Sequence, residues 1–174
     1  WVGYNTDCSG AISALEACTP LKDKNVLILG SGGTAKAIGF GVKEKGGRLT
    51  VTYKHNKERG EGLARELDCE LIHARDAGTR DIDVLINCSP AGMSPNVNET
   101  PFPAKDLKEG MVVFDSVYNP LETRLLREAK SAGCKVVLGS ELFVNQAARQ
   151  FELWTGESAP IDIMRQVLLE KLQG

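Results

Sequence analysis

Histidine is scarce in this chain of 174 residues: only His55 and His73 are present, too few for a multi-histidine metal centre. The five cysteines, Cys8, Cys18, Cys69, Cys88 and Cys134, are scattered and odd in number. No two stand at a CxxC or similar spacing, which argues against a zinc site and against a disulfide framework. They read as reduced, small apolar residues, and reduced cysteines point to a cytoplasmic location. Positive charge is not in excess: 21 Lys and Arg face 23 Asp and Glu, for a net charge of -2. A basic footprint for nucleic acid is therefore missing. No apolar run is long enough to span a membrane, and no secretory signal, internal repeat or low-complexity linker is visible.

What is present is an alternation of short β-rich runs with helical stretches, in a length that suits one domain with a full core. Residues 25–30, 49–53, 69–73, 83–88, 111–117 and 135–139 read as strands. The first, NVLILG, is almost continuously apolar, as expected of a strand buried on both faces. Helical spacing marks 34–45, with Ala35, Ile38 and Val42 on one side, and further helices at 57–67, 121–132, 141–154 and 160–172. A Pro- and Asn-rich loop runs to residue 104, and a helix at 9–18 precedes the first strand. Such alternation implies right-handed crossovers and a parallel, Rossmann-like doubly wound sheet of six strands with helices on both faces. Its strand order is not legible here, although analogy favours the dinucleotide-binding order.

The turn after the first strand is GSGGTAKA. Gly30, Gly32 and Ala35 fit G-x-G-x-x-A: the first for a tight turn, the second for close approach of a pyrophosphate, the third for helix–strand packing. Ser31, Gly33 and Thr34 complete a helix N-terminus whose N–H groups suit phosphate. A glycine-rich turn without a ligand is the competing reading; the strand before it and the helix after it favour a dinucleotide. An NAD site has an acid at the end of the second strand, and here the chain reads Lys54-His55-Asn56, with Lys57 and Arg59 behind. A cationic patch suits a 2′-phosphate, so NADP is favoured over NAD, although a solvated charge run has the same appearance.

Other polar groups gather at strand ends. INCSPAGM (86–93) brings Asn87, Cys88 and Ser89 where a nicotinamide pocket would lie, and equally describes an ordinary turn. DSVYNP (115–120) repeats the logic with Ser116 and Tyr118. In 141–156, Leu142, Phe143, Ala147, Phe151 and Trp154 form an apolar face that also carries Gln146, and Gly156 stops the helix. Near the start, Trp1, Tyr4, Asn5, Thr6 and Asp7 form a site-like cluster. Asp7 also has the place of a helix N-cap.

Together, GYNTD (3–7), GSGGTAKA (30–37), NCSPAGM with PNVNETP (95–101), VYNPLETRLL (117–126) and GSELFVNQAARQFELWTG (139–156) resemble the shikimate dehydrogenase family over nearly the whole chain. GYNTDCSGAISALE looks especially like the plant-type bifunctional enzymes, in which a dehydroquinate dehydratase precedes the dehydrogenase. The resemblance implies NADPH-dependent reduction of 3-dehydroshikimate to shikimate. It implies that a first, lysine-bearing substrate domain is missing here, that residues 1–20 are its junction and a connecting helix, and that 21–174 are the dinucleotide domain. The fragment alone is then expected to be inactive. Asp7 would pair with the catalytic lysine and bind a substrate hydroxyl, with Tyr118 and Gln146 also on substrate. Ser116 and Gly139 would lie near the nicotinamide, and Lys54, His55, Asn56 and Arg59 would hold the adenosine phosphate. The family usually reads Asn-Arg-Thr where this chain has Lys54-His55-Asn56, and lysine does not replace a planar guanidinium fork. A quinate dehydrogenase using NAD and a non-catalytic nucleotide-binding module are the rivals. The VYNP and FVNQA stretches argue against tetrahydrofolate and glutamyl-tRNA reductase-type cofactor domains.

Overall fold

A computed structural model describes residues 3–173; Trp1 of the N-terminal cluster, Val2 and Gly174 lie outside the described residues. Six strands form one sheet: β1 (Asn25–Leu29), β2 (Arg48–Tyr53), β3 (Glu70–His73), β4 (Val84–Asn87), β5 (Val112–Asp115) and β6 (Lys135–Val137). All neighbouring pairs are parallel, in the order β3-β2-β1-β4-β5-β6. That is the dinucleotide-binding order. The chain winds outward from β1 to β3, then returns to place β4 beside β1, opening a switch point between those two strands.

The helices are α1 (Thr6–Glu16), α2 (Gly33–Glu44), α3 (Lys57–Leu67), α4 (Arg124–Ser131), α5 (Gly139–Thr155) and α6 (Ile161–Gln173). Short 3-10 helices cover Ala74–Thr79 and Ala104–Asp106. Period-two alternation divides each central strand between two cores. Val26, Ile28, Val84, Ile86, Val112 and Phe114 face a layer built from α1, α2, α3 and α5. Leu27, Leu29, Leu85 and Val113 face the opposite layer of α4, the 3-10 helix at Ala74–Thr79 and the loop around Phe102. Ala11, Ile12, Ala14 and Leu15 of α1 belong to the first core, so this leading helix shares its packing with the sheet.

Several element ends differ from expectation, each through a side-chain or steric cause. Helix α1 begins at Thr6 rather than residue 9 because the Asn5 side chain accepts the Cys8 N–H at 3.1 Å. Asn5, and not Asp7, is thus the cap. Thr123 caps α4 in the same way, so that helix starts at Arg124 rather than 121. Strand β5 stops at Asp115, two residues early, because its own carboxylate captures the Val117 N–H at 3.0 Å. Helix α5 starts earlier than expected, at Gly139, where any larger residue would run into the Val117 carbonyl. Arg165 of α6 donates from Nε and Nη2 to the two Glu141 oxygens, both at 3.2 Å, and so fastens α6 to α5.

Candidate cofactor and substrate site

The glycines of the first turn fall into two kinds. Gly30 is demanded by the fold: its φ is +116°, and a Cβ there would lie 3.1 Å from the Cys88 carbonyl oxygen. Its N–H donates to Thr52 Oγ1 at 3.1 Å, tying the turn to β2. Gly32 and Gly33 are not demanded by anything in the chain. Gly32 has φ -87°, a Cβ on it would meet only Arg59 Nη2 at 3.6 Å, and one on Gly33 would meet nothing within 4 Å. Their small size matters to whatever lies in front of the turn. Gly32 caps α2 without a side-chain hydrogen bond, and no acid stands in the first turn. The free N–H groups and the partial positive charge of the helix end are therefore open to an anion. Ser31 and Thr34 flank them half-buried, whereas Ala35 is fully buried and acts in packing α2 on the sheet.

Lys54, His55 and Asn56 are exposed at the end of β2. The Asn56 side chain caps α3 by accepting the Arg59 N–H at 2.8 Å, and the Arg59 guanidinium reaches the turn, with Nη2 3.6 Å from where a Cβ on Gly32 would sit. Among the described residues, Lys54, His55 and Arg59 make no ion pair. A cavity of about 380 Å³ beside Lys54 is lined by Gly30, Thr52, Lys54, Ser89, Asn98 and Arg124.

Two further cavities continue along the carboxyl ends of β4 and β5. One of about 340 Å³ is lined by Thr34, Cys88, Ser89, Ser116 and Tyr118. The other, about 170 Å³, brings Asp7, Thr34, Ser116, Tyr118, Gly139 and Gln146 together. Ser89 is common to the first two, and Thr34, Ser116 and Tyr118 to the last two, so the three form one trough. Asp7 reaches it from α1 because α1 lies unusually close to α5. A Cβ on Gly10 would sit 2.9 Å from the Gln146 backbone nitrogen. Asn145 Nδ2 donates to the Gly10 carbonyl at 3.3 Å, and Gln150 Nε2 to Thr6 Oγ1 at 3.1 Å. Leu142 and Phe143 also line the small cavity, and Phe143 pairs with Tyr118 at 5.1 Å between ring centroids. Helical periodicity assigned both to an apolar face; only the approach of Tyr118 from another element turns Phe143 into a wall of the site.

The thiols of Cys8, Cys69, Cys88 and Cys134 are all pushed up, chiefly by burial, which disfavours a thiolate nucleophile. All five cysteines are free. Among the described residues no three His, Cys, Asp or Glu side chains gather as a metal site, and no helix is long and apolar enough to cross a membrane.

Residues 139–169 match the family model of the shikimate 5′-dehydrogenase C-terminal domain. The chain is 42% identical to the NADP(+) shikimate dehydrogenase of Methanosarcina acetivorans, over 98% of this chain and 64% of that protein. It is 40% identical to the chloroplastic bifunctional 3-dehydroquinate dehydratase/shikimate dehydrogenase of Arabidopsis thaliana, over 96% of this chain and 30% of that protein. The crystal structure of a Thermus thermophilus shikimate dehydrogenase, in complex with NADP(H) and shikimate, superposes with a TM-score of 0.86 at 34% identity, over 97% of this chain and 63% of that one. The chain thus spans somewhat less than two thirds of the single-function relative and of the solved structure. The resemblance to plant bifunctional enzymes is real, and the archaeal relative matches it in degree. With a sheet in dinucleotide-binding order, a phosphate-ready turn, and these relatives aligned from end to end of the chain, the protein belongs to the shikimate dehydrogenase family, in the part represented by its C-terminal domain.

Proposed function

We propose that the chain is the cofactor-binding part of an NADP-dependent shikimate dehydrogenase, with residues 1–20 as junction and connecting helix and 21–174 as the dinucleotide domain. The observation that carries this is the shared trough: Gly30 and Thr34 of the glycine-rich turn, Lys54 after β2, and Asp7 with Gln146 line its three adjoining cavities. The nicotinamide of bound NADP(H) supplies the hydride chemistry, reducing 3-dehydroshikimate to shikimate or the reverse. The chain's own residues bind and orient. The N–H groups at the start of α2 take the pyrophosphate, and Lys54, His55 and Arg59 the 2′-phosphate. Ser89, Ser116 and Gly139 border the nicotinamide end. Asp7, Gln146 and Tyr118 offer a carboxylate, an amide and a phenol to the hydroxyls of a small polyhydroxylated ring. Asp7 also orients the family's catalytic lysine, which this reading places in a substrate domain outside the 174 residues. Five free thiols fit a reducing compartment such as the cytoplasm. Nucleic acid and membrane have no part in this reading.

Calorimetry of the chain with NADP and NAD tests it. Tighter binding of NADP is expected; equal affinities overturn the cofactor choice, and no binding of either overturns the function. The chain alone is expected to show no shikimate turnover. In a form carrying the substrate domain, Asp7→Asn is expected to lower turnover by about 10²-fold or more and to leave NADP affinity unchanged.

A further inference from the structure

Asp115, at the carboxyl end of β5, is completely buried, and none of the roles assigned above uses it. Its carboxylate gathers three donors from three directions. Oδ1 accepts from Asn87 Nδ2 at 2.9 Å, across the sheet from the end of β4, and from the Val117 N–H at 3.0 Å. Oδ2 accepts from Thr123 Oγ1 at 2.6 Å, at the start of α4. Asn87, equally buried, passes the order onward: its Oδ1 accepts from the Ser89 N–H at 2.9 Å and the Ser89 hydroxyl at 2.7 Å. A buried carboxylate is costly, and apolar residues of similar size could fill this position without that cost. A carboxylate placed there despite that cost points to a task beyond filling space.

We propose that Asp115 is a positioning residue whose carboxylate locks the turns after β4 and β5 together, so that Ser89, Ser116 and Tyr118 stand as the preformed wall of the nicotinamide end of the trough. The inference rests on the cofactor reading above. The geometry supports it directly, because the residue between the two captured groups, Ser116, lines both cavities at that end, and Tyr118 follows the captured Val117. Every protein group facing the carboxylate is a donor, so it is the ionised form that completes the lock. Burial nevertheless pushes the carboxyl up to about 6. The ionisable group coupled to it is the Cys88 thiol of the β4 turn, itself raised by burial and by the Asp115 charge; Asn87, Val117 and Thr123 are neutral. Protonation replaces an acceptor by a donor and sets it against the groups it should hold.

The test compares NADP with 2′-phospho-ADP-ribose, the same molecule without nicotinamide, so that ionisation of the 2′-phosphate cancels in the ratio. Asp115→Asn is expected to weaken NADP by about tenfold, the scale of one charge-assisted hydrogen bond, and to leave the fragment unchanged. Thr123→Val, which removes one donor, is expected to act in the same sense and less strongly, with melting curves confirming that both variants are folded. Equal weakening of NADP and fragment, or none, overturns the positioning role while leaving the cofactor reading intact. A wild-type chain that binds neither overturns the cofactor reading itself. Wild-type protein alone gives a further measure: its NADP-to-fragment affinity ratio is expected to fall as pH drops below about 6, and a ratio constant with pH overturns the proposal.

Discussion

Both ends of the sheet carry a cleft of similar size, and they differ in what their charges do. At the amino end a cavity of about 400 Å³ is lined by Asn25, Arg48, Glu70 and Arg80 among others. Most of its polar side chains are engaged with one another: Arg80 pairs with Glu70, and Arg48 Nε donates to Asn25 Oδ1 at 2.8 Å, while Asp81 on the same wall has no ion pair among the described residues. Beside it, Lys24 pairs with Asp83 at 3.2 Å. At the carboxyl end, Asp7, Lys54, His55 and Arg59 have no ion-pair partner among the described residues. Two carboxylates show the same contrast. Asp83, ahead of β4, is held below its ordinary value, first by the Asn25 N–H and then by Lys24 and Arg48. Asp115, at the end of β5, is raised by burial despite three hydrogen bonds. Largely engaged charge marks the amino end as structure, while the unpaired Lys54 and Asp7 and a costly buried acid mark the carboxyl end as a place prepared for something else. Cleft volume alone does not separate them.

That contrast can be broken most forcefully at Gly32. Gly32→Val puts a branched side chain into the space a phosphate needs, where the only protein atom its Cβ meets is the movable Arg59 Nη2 at 3.6 Å. An overlap of about 1–3 kcal/mol predicts NADP affinity roughly ten- to a hundredfold lower, with a folded chain whose melting temperature falls only slightly because valine is a poorer N-cap than glycine, by calorimetry and thermal denaturation. Unchanged affinity would return the turn to a purely structural role.

The next effect concerns acid stability. The folded carboxyl of Asp115 is at about 6 against an unfolded 3.8, so between those values the folded chain holds a proton that the unfolded chain gives up. The contribution of this residue therefore falls as pH rises through that window and stays lost above it, by on the order of 3 kcal/mol. Asp83 has the opposite sign: the stability it adds is present at neutral pH and is lost as pH falls through its lowered value. Denaturant unfolding of wild type and Asp115→Asn from pH 4 to 7 isolates the first term, because the difference between the two curves should change steadily across the window.

Lys54→Asp then sharpens the charge argument. Exchanging attraction for repulsion beside a 2′-phosphate should reverse or abolish the preference for NADP, by about tenfold in relative affinity. A preserved preference would move recognition to Arg59, whose guanidinium already leans on the turn. The smallest effect belongs to the amino end. Arg80→Ala breaks an exposed pair and should cost at most about 1 kcal/mol, with cofactor affinity untouched. An affinity change there would show that the paired cleft is not merely structural.

Much of the carboxyl-end site was legible as sequence. Gly30, Gly32 and the absent acid after β2 are short-range signals, set within a few residues of one another. Asp7 and Gln146 were reached through the family resemblance, since 139 positions separate them and no periodicity joins them. The role of Asn5 as cap was missed because Asn5, Thr6 and Asp7 are all acceptable caps, and the hydrogen bond to Cys8 chooses among them. Phe143 and Asp115 were hidden for a related reason. Each reads as an ordinary member of its helix or strand end, and its significance lies in what another element brings against it.

By itself, the sequence determined the alternation of strands and helices, the two buried faces of the sheet and the anion-ready turn, because these rest on periodicity and on backbone freedom at single residues. Tertiary structure alone decided the strand order, the seam at Gly10 that carries Asp7 to Gln146, and the clamp that Asp115 closes between β4 and β5. These depend on distances between groups remote along the chain. Such distances are fixed only when the packing of all the elements is satisfied at once.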